Sequence, residues 1–178
     1  MIQPLFIATE RFDPTDEAWQ KYLECAEIPG LTEVVGLDGS LCNRVIVELL
    51  EEDWRHIASV DCEPLFFQDL DYLLNRVQSV KRRNILGLYR NPETEITQAP
   101  AAQDFSFMGY DLIDEQTHMS ALTNCGGFPD AFQNSELNCF GLISKFDRAI
   151  QVKNLLAEMY PYEAHAQCDL YAIWRLNE

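Results

Sequence analysis

The chain has 178 residues, 47% of them hydrophobic and 24% charged, and 29 acidic against 13 basic residues leave a formal net charge of −16. Those proportions suit one soluble globular domain, which at this length can bury roughly 70% of its unfolded surface without a metal or disulfide. They exclude a transmembrane helix, since no run approaches the roughly 20 apolar residues that cross a bilayer, and they speak against nucleic acid, whose phosphates the acidic field would repel.

The acidity is uneven: residues 1–71 hold 16 acids and 4 bases, whereas residues 72–178 hold 13 acids and 9 bases. Such a field steers a basic protein partner toward the first part, with a rate that falls as salt is added. The N-terminal MIQPLFIAT has no basic flank and too short an apolar core for a signal peptide, so a cytoplasmic location is expected. Six cysteines (Cys25, Cys42, Cys62, Cys125, Cys139 and Cys168) include no Cys-x-x-Cys pair, which predicts reduced, mostly buried thiols. Homo-oligomerisation is left open by the composition.

In chain order, Pro4 to Thr9 predicts a short buried strand. Asp13 as N-cap with Pro14 at the first helical position predicts a helix carrying Trp19, Tyr22 and Leu23, stopped by Pro29-Gly30. Thr32 to Leu37 is a second strand candidate closed by an Asp38-Gly39 turn. From Leu41, apolar pairs every four residues predict a helix to about Leu50, although Val45, Ile46 and Val47 suit a strand equally. Glu48, Glu51, Glu52 and Asp53 cluster at its end as a solvated face or a docking patch for cations. An apolar stripe from Leu65 to Val80, with acids early and Lys81 to Arg83 late, predicts a helix over about 64–81. Ile85 to Tyr89 reads as a strand, and residues 90–103 as a long loop.

The stretch from Phe105 to Phe132 predicts a β-hairpin running into a tight bend. By strict alternation Phe105, Phe107, Gly109, Asp111 and Ile113 share one face, and Ser106, Met108, Tyr110, Leu112 and Asp114 the other. Large apolar groups on both faces predict a central strand sandwiched within the interior. Residues 129–141 break too often for a long element. Ser144 and Asp147 resemble a capping arrangement for a helix ended by Pro161, and Leu170 to Leu176 closes the chain as a strand, with Leu170, Ala172 and Trp174 on one face and Tyr171 and Ile173 on the other. The sum is an α+β single domain over 1–178, with a mixed or antiparallel central sheet flanked by helices.

Asn124-Cys125-Gly126-Gly127 is the most site-like tetrapeptide, because paired glycines let backbone amides turn toward an anion beside a cysteine. A thiol nucleophile there would need a base, for which His118 or His165 are candidates, with Asp111 or Asp114 orienting it. The bland reading is a hairpin exit with Cys125 in the core. A pocket lined by Tyr110, Asp111, Asn124 and Cys125 would serve a small enzyme. His165 and Cys168 have a His-x-x-Cys spacing, but a zinc site needs closely spaced ligands on a second side, so no metal is assigned. Asp111, Asp114 and Glu115 could do acid–base work, although Asp114 to Thr117 is simpler as the polar turn of the hairpin. No phosphate loop, His-Glu-x-x-His or Gly-x-Ser-x-Gly motif occurs, and no cofactor is implied.

GYDLID, SALTNCGGF and the closing DLYAIWRLN resemble a group of small uncharacterised bacterial proteins over roughly the last 75 residues. In size and acidity such proteins resemble the immunity proteins that neutralise polymorphic bacterial toxins. The first likeness implies no activity and assigns no functional residue. The second is a likeness of type; the acidic excess gives the reading of a non-enzymatic, inhibitor-like binding protein using the acidic face of Glu48, Glu51, Glu52 and Asp53 against a basic partner.

Overall fold

A computed structural model describes residues 3–58, 65–124 and 127–177. Four strands, β1 (Leu5–Glu10), β2 (Arg83–Arg90), β3 (Phe105–Asp114) and β4 (Cys168–Leu176), form one antiparallel sheet in the order β1-β2-β4-β3. Among the described residues three α-helices accompany it: α1 (Glu17–Cys25), α2 (Leu70–Arg76) and α3 (Phe146–Met159). The fold is a single α+β domain.

One face of the sheet packs Phe6, Ala8, Ile85, Tyr110, Leu170 and Ala172 against Leu70 and Leu73 of α2 and Ala149, Val152 and Leu156 of α3. The opposite face packs Ile7, Leu86, Leu88, Tyr171 and Ile173 against Val35, Leu37, Phe66 and Leu142, which come from extended and irregular segments. The sheet is therefore buried on both sides, and β4 divides its side chains between the two cores as alternation predicts.

Strict alternation fails on β3. Phe107 pairs with Trp174 and Gly109 with Ile173, so Met108 is an extra residue in a β-bulge and the faces exchange there. Phe105, Tyr110 and Leu112 consequently share the helix side, while Met108 and Ile113 join the other core. Gly109 adopts φ 140°, and a Cβ built on it would lie 2.7 Å from the Cβ of Leu142. Only glycine meets both conditions without strain.

The expected central placement of β3 is corrected: it is the last strand in the order. Its outer edge is nevertheless covered, since Tyr110 and Ile143 exchange backbone hydrogen bonds of 2.8 and 3.0 Å and Ala121 N donates to Leu112 O at 2.8 Å. Covering satisfies the groups an open edge would expose. The expected hairpin is reduced to a turn over 115–117 and a single bridge between Ile113 and Ser120.

Four helix expectations change. The helix α1 starts after Asp16, whose carboxylate accepts from Ala18 N at 2.8 Å, while Asp13 caps a preceding turn by accepting from Thr15 N. Asp69 is the N-cap of α2, because Phe67 is held extended against β1 by two hydrogen bonds with Phe6, of 2.7 and 2.8 Å, before the helix can begin. The predicted helix over 41–50 does not form. Glu10 N donates to Asn43 O and Val45 N to Ala8 O, so residues 43–45 lie along the open edge of β1 around a single bridge between Thr9 and Arg44. Thr32 to Leu37 forms no strand, although Val34 to Leu37 are buried, and Lys145, whose side chain makes no cap bond, rather than Ser144, precedes α3. Of the described cysteines, Cys42 and Cys168 are buried, but Cys25 and Cys139 are exposed.

Candidate functional site

Leaving the edge of β1, the chain makes a loop over residues 46–56 that ends in a short 3-10 turn, Asp53–Arg55. Asp53 is fully buried inside it. Its carboxylate accepts from Leu50 N at 2.7 Å, from the Tyr72 hydroxyl at 2.7 Å and from Arg76 Nε at 3.1 Å. Arg76 Nη2 also donates to Glu48 O at 3.1 Å, so one face of α2 grips the loop at residues 48, 50 and 53. Burial alone would raise the Asp53 pKa, but the bonds from Leu50, Tyr72 and Arg76 outweigh it and hold the carboxylate below its ordinary range. Burial and the charge it faces push the Tyr72 hydroxyl up to about 12. Beyond the turn, the His56 ring stacks on Tyr72 at 3.7 Å between centroids, and Ala58 N and Gln68 N tie the two segments together through Phe66 O and His56 O.

This bracing displays an unusual outer surface. Val47 is 83% exposed, Trp54 49% and Leu50 47%, and interleaved with them stand the exposed carboxylates of Glu48, Glu51 and Glu52. Beneath Val47 and Trp54 lies a cavity of about 290 Å³ walled by Ile7, Ile46, Leu49 and Phe67, with Arg44 as the charged residue in its lining. Three of the four acids expected to form a cation-docking patch are therefore on the surface, and the fourth is the buried group that holds the loop in shape. The apolar members Val47, Leu50 and Trp54 were not anticipated. Their signal is the mixing of apolar residues with acids in VELLEEDW, but helical spacing assigns the leucines to a core stripe.

The other candidate residues fall in separate places. Tyr110 and Asp111 are buried side by side on β3, the one packed against the Phe107 and Phe146 rings and the other turned to the second core. Asp111 accepts from the Ser120 hydroxyl at 2.5 Å and from Leu112 N at 2.9 Å, and Gly36 approaches so closely that a Cβ there would lie 2.7 Å from its carboxylate. Ser120 N in turn donates to buried Asp38 at 2.9 Å. Burial chiefly, and the neighbouring Asp38 charge, raise the Asp111 pKa to about 6 although the Ser120 bond opposes this. Asp114 is also buried, but there the bonds from Thr117, Gln116 N and His165 overcome burial and bring it down to about 2. Asp114 thus caps the 115–117 turn and receives His165 Nδ1 at 2.9 Å. Among the described residues, the candidate base His165 is thus paired with Asp114, one of the two carboxylates expected to orient it, while Ser120 is bonded to the other, Asp111.

His118 sits in the left-handed region at φ 56° with its carbonyl accepting from Gly39 N. Cys125 and Gly126 lie outside the described residues. Asn124 and Gly127 line a cavity of about 470 Å³ together with exposed Cys25, Pro29 and Ser135 from other segments; Tyr110 and Asp111 are not in its lining. Burial raises the Cys168 thiol, whose Sγ donates to His165 O at 3.2 Å. Among the described residues no three His, Cys, Asp or Glu side chains converge on a metal position. No helix among them is long and apolar enough to cross a membrane.

The class defined to this point is an α+β domain carrying a braced, acid-rimmed apolar loop. Comparison with protein-family models, curated proteins and solved structures finds no match for the chain.

Proposed function

We propose that the protein is a non-enzymatic binding protein, inhibitor-like in the manner of an immunity protein, that docks a basic protein partner on the loop over residues 46–56. The observation that carries this reading is the combination on one held surface of exposed Val47, Leu50 and Trp54 with exposed Glu48, Glu51 and Glu52. Aromatic and aliphatic anchors within a charged rim are the anatomy of a protein interface, and a surface stiffened before contact loses little entropy on binding. The acidic excess of residues 1–71 adds long-range attraction for a cationic partner and repels nucleic acid.

Affinity capture from a cell extract with wild type and with Glu48→Lys/Glu51→Lys/Glu52→Lys tests it. A basic protein retained at low salt, released at high salt and lost with the triple variant supports the reading. Retention unaffected by the variant, or retention of acidic proteins, overturns it.

The alternative, a small enzyme at the Gly126-Gly127 bend, draws its support from the cavity shared by Asn124 and Gly127. The burial of Tyr110 and Asp111 away from that cavity weighs against it.

A further inference from the structure

We infer that the cavity beneath Trp54 is an anchor site: it takes one large apolar side chain from a basic partner segment, while flanking lysines or arginines meet Glu48, Glu51 and Glu52. The inference rests on the docking role proposed above and names the chemistry of the occupant.

Size sets the first limit. An apolar cavity of roughly 150 Å³ accommodates benzene, so a cavity of about 290 Å³ has room for one aromatic ring or branched aliphatic group and is too small for a folded backbone. Its walls are fixed. Ile7 and Ala8 belong to β1, Phe67 is bonded to Phe6 in both directions, and Leu49 lies between the two carbonyl and amide groups that Arg76 and Asp53 hold. A cavity kept open by its own framework does not have to be formed at the partner's expense.

Charge sets the second limit. The apolar walls of Ile7, Ile46, Leu49 and Phe67 offer no partner to a lysine or arginine head group, whereas the three exposed carboxylates lie on the same loop as Val47, Leu49 and Trp54 of the lining. Cations are thus directed to flank the cavity and an apolar group to enter it. A second copy of this chain would bring another −16 against the first, and an anionic lipid surface would be repelled in the same way. The occupant that satisfies both limits is a cationic peptide segment with one central Trp, Phe or Leu.

Three pentapeptides, blocked at both ends, test this by chemical-shift titration of the isotope-labelled full chain: Lys-Lys-Trp-Lys-Lys, Lys-Lys-Gly-Lys-Lys and Glu-Glu-Trp-Glu-Glu. The first should shift the amides of Ile7, Ile46, Leu49 and Phe67 and bind at least about tenfold more tightly than the second, the ratio expected for burying one large apolar side chain. The third should not bind. Leu49→Trp, which fills the cavity, should abolish the difference between the first two peptides while leaving the binding of the glycine peptide intact. Trp54→Ala gives the same comparison at the mouth if the filled variant does not fold. Equal affinity for the two lysine peptides, with shifts confined to residues 48–52, would overturn the anchor and leave the acidic docking face standing. Binding of the acidic tryptophan peptide as tight as that of the basic one would overturn the charge rule, and no binding of either lysine peptide would sink both the anchor and the docking reading.

Discussion

Replacing Asp53 by alanine should unfold the display loop long before the sheet. The carboxylate is fully buried and receives hydrogen bonds from Leu50 N and the Tyr72 hydroxyl, each of 2.7 Å. A hydrogen bond to a charged acceptor contributes about 1.5–3 kcal/mol. The Arg76 side chain is 24% exposed, so its pairing adds a screened amount, under about 1 kcal/mol. Relief of the carboxylate's own desolvation offsets part of the sum, which leaves an expected loss of about 3 kcal/mol. Urea unfolding followed by circular dichroism reads this directly: with a slope of about 2–3 kcal/mol per M, the midpoint should fall by about 1–1.5 M. Hydrogen exchange should accelerate at residues 48–56 well before it does along β4. A loss under about 1 kcal/mol, with exchange unchanged in the loop, would mean that Asp53 is an incidental ion pair and that the loop is shaped by something else.

The two perturbed carboxylates of β3 should act in opposite pH windows. Asp111, held near 6 against an unfolded value of about 3.9, contributes stability that is present below about pH 4 and lost as pH rises through 6. Asp114, held near 2, contributes stability present above about pH 4 and lost as pH falls toward 2. Asp111→Asn should therefore flatten the fall in stability between pH 4 and 6, and Asp114→Asn the fall below pH 4, in urea midpoints measured across pH 2–7; unchanged slopes would refute the assignment. Gly109→Ala should cost several kcal/mol, about 1–3 from its positive φ and a similar amount from overpacking against Leu142, seen as a lowered melting temperature. A neutral result would show that the bulge relaxes freely.

Much of the framework was legible because its strands announce themselves by burial on both faces. The elements Leu5–Glu10, Arg83–Arg90 and Cys168–Leu176 fall where apolar runs bounded by polar residues place them, and the long helix Phe146–Met159 follows its 3.6-residue stripe. What pattern alone misplaced was decided by distant partners. The segment from Leu41 to Leu50 has helical spacing, yet the open edge of β1 recruits its backbone at residues 43–45, and Phe67 is drawn out of the predicted α2 by Phe6 in the same way. The bulge at Met108 exchanged the faces of β3 because one extra residue changes the parity of everything after it, which alternation cannot foresee. Asp53 and Glu48, Glu51 and Glu52 looked alike as a run of acids. Only the position of Tyr72 and Arg76 on α2, about twenty residues onward, separates the buried brace from the exposed rim.

A photo-crosslinking amino acid placed at position 54 tests the docking face most directly, with the same group at fully exposed Tyr162 as the control. Irradiation in a cell extract should give a discrete adduct with a basic protein from position 54 that disappears at high salt, and no such adduct from position 162. An equal yield from both positions, or an adduct from 162 alone, would contradict the account.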